Sequence, residues 1–247
     1  MSLLSFSSKL IKKLLGKADF CSAVIAAAGS SQRMDGEDKL FSEINGKPVL
    51  AHTLIAFENS KLINEIIIVT RQESLGRVEK LCEVYNIDKV TKIIVGGQNR
   101  TESVLNGVTA VSSKASLTAI HDAARPCVSN DIIEKTINAA AAYKAAAPGV
   151  PITSTVKKVE NGKITETVNR DNLVEIQTPQ VFDSDLIKGA LTFACKKAVI
   201  LTDDCMAVEA FGVNVHVTKG SVHNIKITSP DDLLQAETIF SHKRNGA

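Results

Sequence analysis

Two cations lie six residues apart in a loop of mostly small or polar residues near the start of the chain. An apolar segment ends in Ala27, Ala28 and Gly29, and the loop that follows carries Arg33 and Lys39. Small side chains let a ligand approach the backbone, and consecutive N–H groups in such a loop can bind phosphate oxygens. Two cations supply charge that a triphosphate requires. The pattern predicts a nucleotide-binding loop, and an ordinary turn of an α/β domain is the alternative.

Neither of the two common phosphate-binding fingerprints is present in this loop. Ser31 and Met34 occupy the positions of the second and third glycines of G-x-G-x-x-G, and Met34 also excludes G-x-x-x-x-G-K-[ST]. A nicotinamide-dependent oxidoreductase is therefore only a distant alternative. A non-catalytic nucleotide sensor is another, and the cations Arg33, Lys39 and Lys226 argue against it.

A glycine-rich motif, G-G-Q-N-R-T-E-S, occupies residues 96–103 between a predicted strand and a predicted helix. Backbone groups at Gly97 and Gln98, together with the hydroxyl of Ser103, could bind the edge of a nucleotide base. A capped turn at the start of the helix, with no ligand, is the alternative interpretation.

Two charged residues stand out at predicted strand ends or inside apolar segments. Asp122 belongs to H-D-A-A-R-P at residues 121–126, where a carboxylate suits a metal or a sugar hydroxyl but equally often caps a helix or pairs with an arginine. Lys226 lies in an apolar segment that we predict to be a strand, just before a helix over 231–242. Lysine is rarely buried without a partner, so this position is unusual.

Short β-branched segments alternate with amphipathic segments through the first 143 residues. This alternation predicts an α/β fold with a doubly wound, mostly parallel, Rossmann-like sheet, whose ligands bind at the carboxyl ends of the strands. The predicted strands cover residues 65–70, 92–95 and 117–120, and the predicted helices cover 48–60, 72–85, 101–112 and 131–143.

The alternation breaks at about residues 151–176, where two polar β-rich segments flank Asn161-Gly162, a strong hairpin turn signal. Such a hairpin is marginal alone, so we expect this arm to pack against something else; a solvated hairpin without a role is the alternative. We predict one domain over residues 21–247 that includes the arm. Residues 1–20 form a predicted basic amphipathic extension, which we expect to pack on the domain or a partner rather than on a membrane surface.

Composition excludes several classes of function. A net charge of +2 and 4% aromatic residues argue against nucleic-acid binding. Five scattered cysteines without a C-x-x-C pair indicate neither a zinc site nor a disulfide framework, which favours a cytoplasmic protein. No apolar run approaches the ~20 residues of a membrane span, and the N-terminus is a poor signal peptide.

Together the motifs resemble the 2-C-methyl-D-erythritol 4-phosphate cytidylyltransferase family, over about residues 22–240. The loop is similar to A-A-G-x-G-x-R-M…K, and H-D-A-A-R-P is the most specific match. Residues 202–204 match T-D-[DE], and residues 224–232 match N-I-K-[IV]-T-x-P-[ED]-D. Some positions depart from the pattern: Ser31 replaces a glycine, Asp38 a proline and Ser154 an aspartate, and Cys205-Met206 follow T-D-[DE] where A-S is usual.

The resemblance implies transfer of CMP from CTP to 2-C-methyl-D-erythritol 4-phosphate, a step of non-mevalonate isoprenoid precursor synthesis. The products are 4-diphosphocytidyl-2-C-methyl-D-erythritol and pyrophosphate. It also implies a divalent cation, most simply Mg²⁺, held mainly by the CTP phosphates with Asp122 as a candidate ligand. A homodimer is implied, in which the arm grips a second subunit. The alternative within the same class is a ribitol-5-phosphate cytidylyltransferase, whose corresponding hexapeptide tends to read H-D-S-V-R-P.

The resemblance assigns roles to individual residues. Arg33 and Lys39 would bind the leaving pyrophosphate, and Lys226 the reacting α-phosphate. The implied CTP contacts are Ala27, Ala28, Gly29, Gly97, Gln98, Ser103 and Ala123.

On the acceptor side, Asp122 would touch the acceptor hydroxyls or the metal. Thr155 and Arg170 of one subunit would bind the acceptor phosphate in the site of the other. Thr178, in Q-T-P-Q-V-F, is expected near the acceptor. Thr202 is a weaker candidate, since the sequence also predicts that it caps the helix that follows.

Overall fold

The computed structural model describes residues 20–29 and 38–245 of the chain. The predicted N-terminal extension and Arg33 therefore lie outside the described residues.

An eight-stranded sheet forms the centre of the described structure. The strands are β1 Cys21–Ala26, β2 Glu43–Ile44, β3 Lys47–Pro48, β4 Glu65–Thr70, β5 Val90–Val95, β6 Leu117–Asp122, β7 Ala145–Pro151, β8 Val156–Glu160, β9 Lys163–Val168, β10 Val174–Ile176, β11 Gln180–Asp183 and β12 His216–Lys219. The helices are α1 Val49–Asn59, α2 Leu75–Val84, α3 Arg100–Ala110, α4 Asn130–Tyr143, α5 Ser184–Lys196, α6 Asp204–Glu209 and α7 Pro230–Asn245.

The sheet is mostly parallel, as the sequence predicts. β1 lies between β4 and β6 and is parallel to both, β5 continues the parallel order beyond β4, and β12 is parallel to β7. Only β10 and β11 run in the opposite direction, antiparallel to β7 and, for β11, also to β6. The carboxyl ends of β1, β4, β5 and β6 therefore meet along one edge, where such sheets bind ligands.

Helices cover both faces of the sheet because its central strands are apolar on both sides. In β1, Ala23 and Ile25 belong to the core on one face and Val24 to the core on the other. The first core contains residues of α1, α2, α4 and α7, and the second contains residues of α3, α5 and α6. Gly107 lets α3 approach the sheet, since a Cβ there would lie 2.4 Å from a methyl group of Val24. The doubly wound prediction is confirmed.

The predicted hairpin arm is present as β8 and β9, which pair only with each other among the described strands. Asn161 and Gly162 form its turn with φ angles of +50° and +76°, the left-handed conformation that such two-residue turns require. The side chains of Val159 and Ile164 are exposed on the arm.

Two expectations about local structure are wrong. Lys226 does not lie in a strand: residues 225–228 have no regular structure, and the segment is attached by the Ile227 N–H, which donates to the Ala124 carbonyl at 2.8 Å. Thr202 does not cap α6, because Asp203 is the N-cap and accepts from the Met206 N–H at 3.0 Å. Of the helices in the described ranges, none is both long and apolar enough to cross a membrane.

Candidate active site

Three loops converge at the carboxyl edge of the sheet because backbone hydrogen bonds extend the strands into them. The Ala27 N–H donates to the Val69 carbonyl at 2.7 Å, and the Ala123 N–H donates to the Ala26 carbonyl at 3.1 Å. The Gly96 N–H donates to the Thr70 carbonyl at 2.9 Å. The loops after β1, β5 and β6 are therefore fixed side by side.

These loops, with the segment around Lys226, line a cleft of about 440 Å³. Predicted site residues that line it are Ala27, Ala28, Gly29, Lys39, Gly97, Gln98, Ser103, Asp122 and Lys226. It is also lined by Ala26, Leu40, Asn99, Arg100 and Ala124, to which the sequence assigned no ligand. Ala123, the predicted ribose contact, is only 1% exposed, and its carbonyl accepts from the Thr53 hydroxyl.

The glycine-rich loop is shaped by its own hydrogen bonds. The Gly97 N–H donates to Ser103 Oγ at 3.0 Å, and the Gln98 N–H donates to Glu102 Oε2 at 2.9 Å. Asn99 caps α3 by accepting from the Glu102 N–H at 2.9 Å. A Cβ on Gly97 would lie 2.3 Å from Glu102 Cβ, so this turn requires glycine. The loop is thus preorganised, and in this structure the N–H groups of Gly97 and Gln98 both bond within it.

Three cations surround Asp122 at the cleft floor. Its carboxylate lies 2.9 Å from Lys226 Nζ, 3.6 Å from Arg125 Nε and 3.8 Å from Arg100 Nη2. Burial alone would raise the pKa of Asp122, but Lys226 and Arg100 outweigh it and lower this pKa to about 2. Lys39 Nζ donates to the Ile227 carbonyl at 3.0 Å, so the two predicted phosphate-binding lysines meet at one segment.

An ion pair between Arg100, which is partly exposed in the cleft, and a fully buried carboxylate supports the cleft wall. Arg100 binds both oxygens of Asp204 at 2.9 and 2.7 Å, and Asp204 is 0% exposed. The Asp204 N–H donates to Gln180 Oε1 at 3.0 Å, which ties α6 to β11. The two residues belong to separate sequence motifs, at 96–103 and 202–204. These residues are 104 apart in the chain, so no local pattern could show the pairing.

Thr178 lies beneath Asp122 and is only 4% exposed. Its Oγ1 accepts from the Asp122 N–H at 3.1 Å and lies 2.9 Å from His121 Nδ1. His121 Nε2 lies 3.2 Å from the Arg125 carbonyl, which can only accept. His121 is therefore the Nε2–H tautomer, and Thr178 donates to Nδ1. The chain of bonds fixes the 121–125 turn and with it the Asp122 carboxylate.

This arrangement predicts a pH dependence of stability. Burial lowers the pKa of His121 to about 4, whereas it titrates near its ordinary 6.5 when unfolded. Between these values the unfolded state binds the extra proton, so the free energy of unfolding falls as pH decreases from about 6.5 to about 4, by on the order of 3 kcal/mol. Urea titrations over that range should show the slope.

The matched variants are His121→Asn, which should lose most of the slope, and His216→Asn, which should keep it. His216 is exposed and stacks on Tyr143, with ring centroids 4.1 Å apart. An unchanged slope in His121→Asn would show that other groups carry the proton linkage.

The remaining predicted acceptor contacts do not line the cleft of their own chain. Arg170 and Thr155 flank the arm, and the Arg170 guanidinium donates to the Thr153 carbonyl. Thr202 is also outside the cleft lining, and its hydroxyl contacts Met206 Sδ at 3.8 Å.

The fold and the cleft together define a class of protein. A doubly wound sheet with a lysine-containing cleft and a glycine-rich wall at its carboxyl edge is the arrangement of a Rossmann-like nucleotide-binding protein. The chain belongs to the 2-C-methyl-D-erythritol 4-phosphate cytidylyltransferase family (IspD), whose sequence model matches residues 21–242. It is thus a member of an enzyme family of nucleotidyltransferases, and the resemblance seen in the sequence is confirmed.

Individual relatives agree with this assignment. The 2-C-methyl-D-erythritol 4-phosphate cytidylyltransferase of Alkaliphilus oremlandii is 41% identical over 228 residues, which cover 91% of this chain and 97% of that protein. The enzyme of the same name from Halalkalibacterium halodurans is 42% identical, covering 90% and 97%. A crystal structure of 4-diphosphocytidyl-2C-methyl-D-erythritol synthase from Anaerococcus prevotii matches with a TM-score of 0.81 and 32% identity, covering 93% and 98%.

Proposed function

We propose that this chain transfers CMP from CTP to 2-C-methyl-D-erythritol 4-phosphate and releases pyrophosphate. The supporting observation is the convergence of Lys39, Lys226, Asp122 and the glycine-rich loop on one cleft. Family membership supports the choice of substrates, because the relatives are named for this reaction. The sequence match covers 97% of each of these two relatives.

In the proposed reaction a phosphate oxygen of the acceptor attacks the α-phosphorus of CTP. The new P–O bond forms as the bond from the α-phosphorus to the bridging oxygen breaks, and that oxygen leaves with pyrophosphate. The nucleophile is already ionised, so no general base is required. The protein has to align two polyanions and stabilise the charge that develops on the phosphate oxygens. Lys226 would bind the α-phosphate, and Lys39 with Arg33 would bind the leaving pyrophosphate.

The cleft suits a magnesium ion carried by the nucleotide. Among the residues that the structure describes, Asp122 is the one carboxylate that lines the cleft. Within residues 20–29 and 38–245 no group of three His, Cys, Asp or Glu is placed to hold a metal. Mg²⁺ commonly binds through one or two carboxylates together with substrate phosphates and water, so Asp122 and the CTP phosphates would hold it. The bound ion would neutralise phosphate charge.

We propose that the acceptor phosphate is bound by a second copy of the chain. Thr155 and Arg170 lie at the arm rather than in their own cleft, and the arm exposes Val159 and Ile164. An exposed hairpin with apolar side chains is suited to packing on another surface. A homodimer in which each arm reaches the partner's site would explain this placement.

Arg170→Ala is expected to raise the KM for the acceptor, by about tenfold or more if the guanidinium binds its phosphate. The affinity for CTP should change little, because Arg170 does not line the CTP cleft of its own chain. Steady-state kinetics with each substrate varied in turn would measure both quantities. An equal loss of CTP affinity would contradict the acceptor assignment, and Arg77→Met provides a control for the loss of one positive charge.

The proposed function is tested by pyrophosphate release from CTP and Mg²⁺ with 2-C-methyl-D-erythritol 4-phosphate or ribitol 5-phosphate as acceptor. Release only with the erythritol phosphate supports the proposal, and preference for ribitol phosphate would support the alternative. A cytoplasmic location stays a proposal that rests on the five cysteines, which are all free in this structure.

A further inference from the structure

The segment that carries Lys39 is built around the preceding residue, Asp38. The Asp38 carbonyl accepts from the N–H groups of Phe41 and Ser42 at 2.8 and 3.2 Å, and its Oδ1 accepts from the Leu40 N–H at 3.3 Å. These bonds close a turn in which Lys39 points into the cleft. The position of Asp38 therefore sets the direction of Lys39.

Asp38 is held in turn by Arg71, the residue that follows β4. The Arg71 Nη2 donates to Asp38 Oδ2 and lies 3.4 Å from Ser74 Oγ, while its Nε lies 3.4 Å from Glu73 Oε1. The side chains of Arg71 and Asp38 are 27% and 16% exposed. A partly buried pair of this kind interacts more strongly than one that is fully exposed on the surface.

We propose that Arg71 is a positioning residue for nucleotide binding, acting through its ion pair with Asp38. This inference rests on the proposed function. The pair joins the Lys39 turn to the end of β4, which is hydrogen-bonded to β1 and its small-residue loop.

The inference is tested with Arg71→Met, Asp38→Asn and the double variant in the full chain. Calorimetric titration with CTP and Mg²⁺ should show affinity reduced roughly tenfold in Arg71→Met, since the Lys39 turn loses its tie to the end of β4. Asp38→Asn keeps the acceptor for the Leu40 N–H but breaks the same ion pair, so it should lower CTP affinity to a similar extent. The double variant should lose little more than either single variant, because both substitutions remove one interaction.

Arg77→Met is the matched control. Arg77 is on α2 and its guanidinium lies 3.6 Å from the ring centroid of Phe41, so this variant removes the same charge close by without touching Asp38. Its CTP affinity should stay near that of the original chain. Arg71→Lys keeps the charge and should fall between the original chain and Arg71→Met.

A role of Arg71 that does not act through Asp38 would make the losses of CTP affinity in the two single variants add up in the double variant. That result, or unchanged CTP affinity in Arg71→Met, would overturn the inference. Failure of the unaltered chain to bind CTP would instead overturn the proposed function, and the inference with it.

Discussion

Replacing Lys226 by methionine is expected to lower kcat by ~10²-fold or more, the size of the loss seen when one donor to a developing oxyanion is removed. Methionine keeps much of the side-chain volume and removes the ammonium that lies 2.9 Å from Asp122 at the cleft floor. The KM for CTP should change less than kcat, because the interaction strengthens as charge develops on the α-phosphate. Pyrophosphate release at saturating substrates measures the effect.

The fold should tolerate this change. Asp122 keeps Arg125 and Arg100 at 3.6 and 3.8 Å, so its carboxylate is not left without a counter-charge. Lys219→Met, at an exposed position of β12, is the control for loss of one lysine. Near-normal turnover in Lys226→Met, with a normal thermal midpoint, would exclude Lys226 from the chemistry. Lys39→Ala should show a loss of similar size if it binds the leaving group.

The structural predictions that hold are the ones whose causes are local in the sequence. The glycine-rich loop, the Asn161-Gly162 turn and the alternation of strands with helices all depend on neighbouring residues. Gly97, Asp122 and the β1 loop each lie at the carboxyl end of a strand. Because these strands are parallel, their carboxyl ends meet at one edge of the sheet.

The predictions that fail are those in which a distant contact decides between local options. Ile225 and Ile227 on either side of Lys226 give the alternating pattern that is typical of a strand. The segment instead bonds to a loop, through the Ile227 N–H and the Ala124 carbonyl. Thr202 and Asp203 are both good N-cap residues, and Asp203 is the cap while also accepting from Gln180 Nε2 at 2.9 Å. Ala124 and Gln180, the partners that decide these two cases, are both distant in sequence. The local sequence therefore could not decide between strand and loop, or between the two possible caps.

Placement in the structure also changes the interpretation of residues that the sequence singled out. Thr178 was expected near the acceptor, and it lies at the site, but its hydroxyl is committed to Asp122 and His121. Its most direct effect on the reaction is therefore to hold the 121–125 turn. A motif identifies a residue as part of a site, whereas hydrogen-bond partners show whether it faces the ligand or supports a neighbour.

The largest expected effect on stability comes from Arg100→Met. It would leave the Asp204 carboxylate, which is 0% exposed, without the guanidinium that binds both of its oxygens. Removing one partner of a buried ion pair typically costs about 3–5 kcal/mol, because the remaining charge stays desolvated. Urea denaturation at pH 7 should show a loss of unfolding free energy in that range, with CTP affinity reduced as well, since Arg100 lines the cleft.

Two further measurements distinguish the effect of the unpaired Asp204 charge from a simple loss of side-chain packing. Burial already raises the pKa of Asp204, against the opposing effect of Arg100, and in Arg100→Met it should rise further. As pH falls, a buried carboxyl with a raised pKa binds a proton and loses its charge, so it destabilises the fold less. The loss of unfolding free energy in Arg100→Met, relative to the original chain, should therefore shrink towards pH 4. The double variant Arg100→Met/Asp204→Asn removes the buried charge and should regain part of the stability at pH 7. A deficit that is independent of pH and undiminished in the double variant would mean that Arg100 stabilises the fold through its packing and not through Asp204.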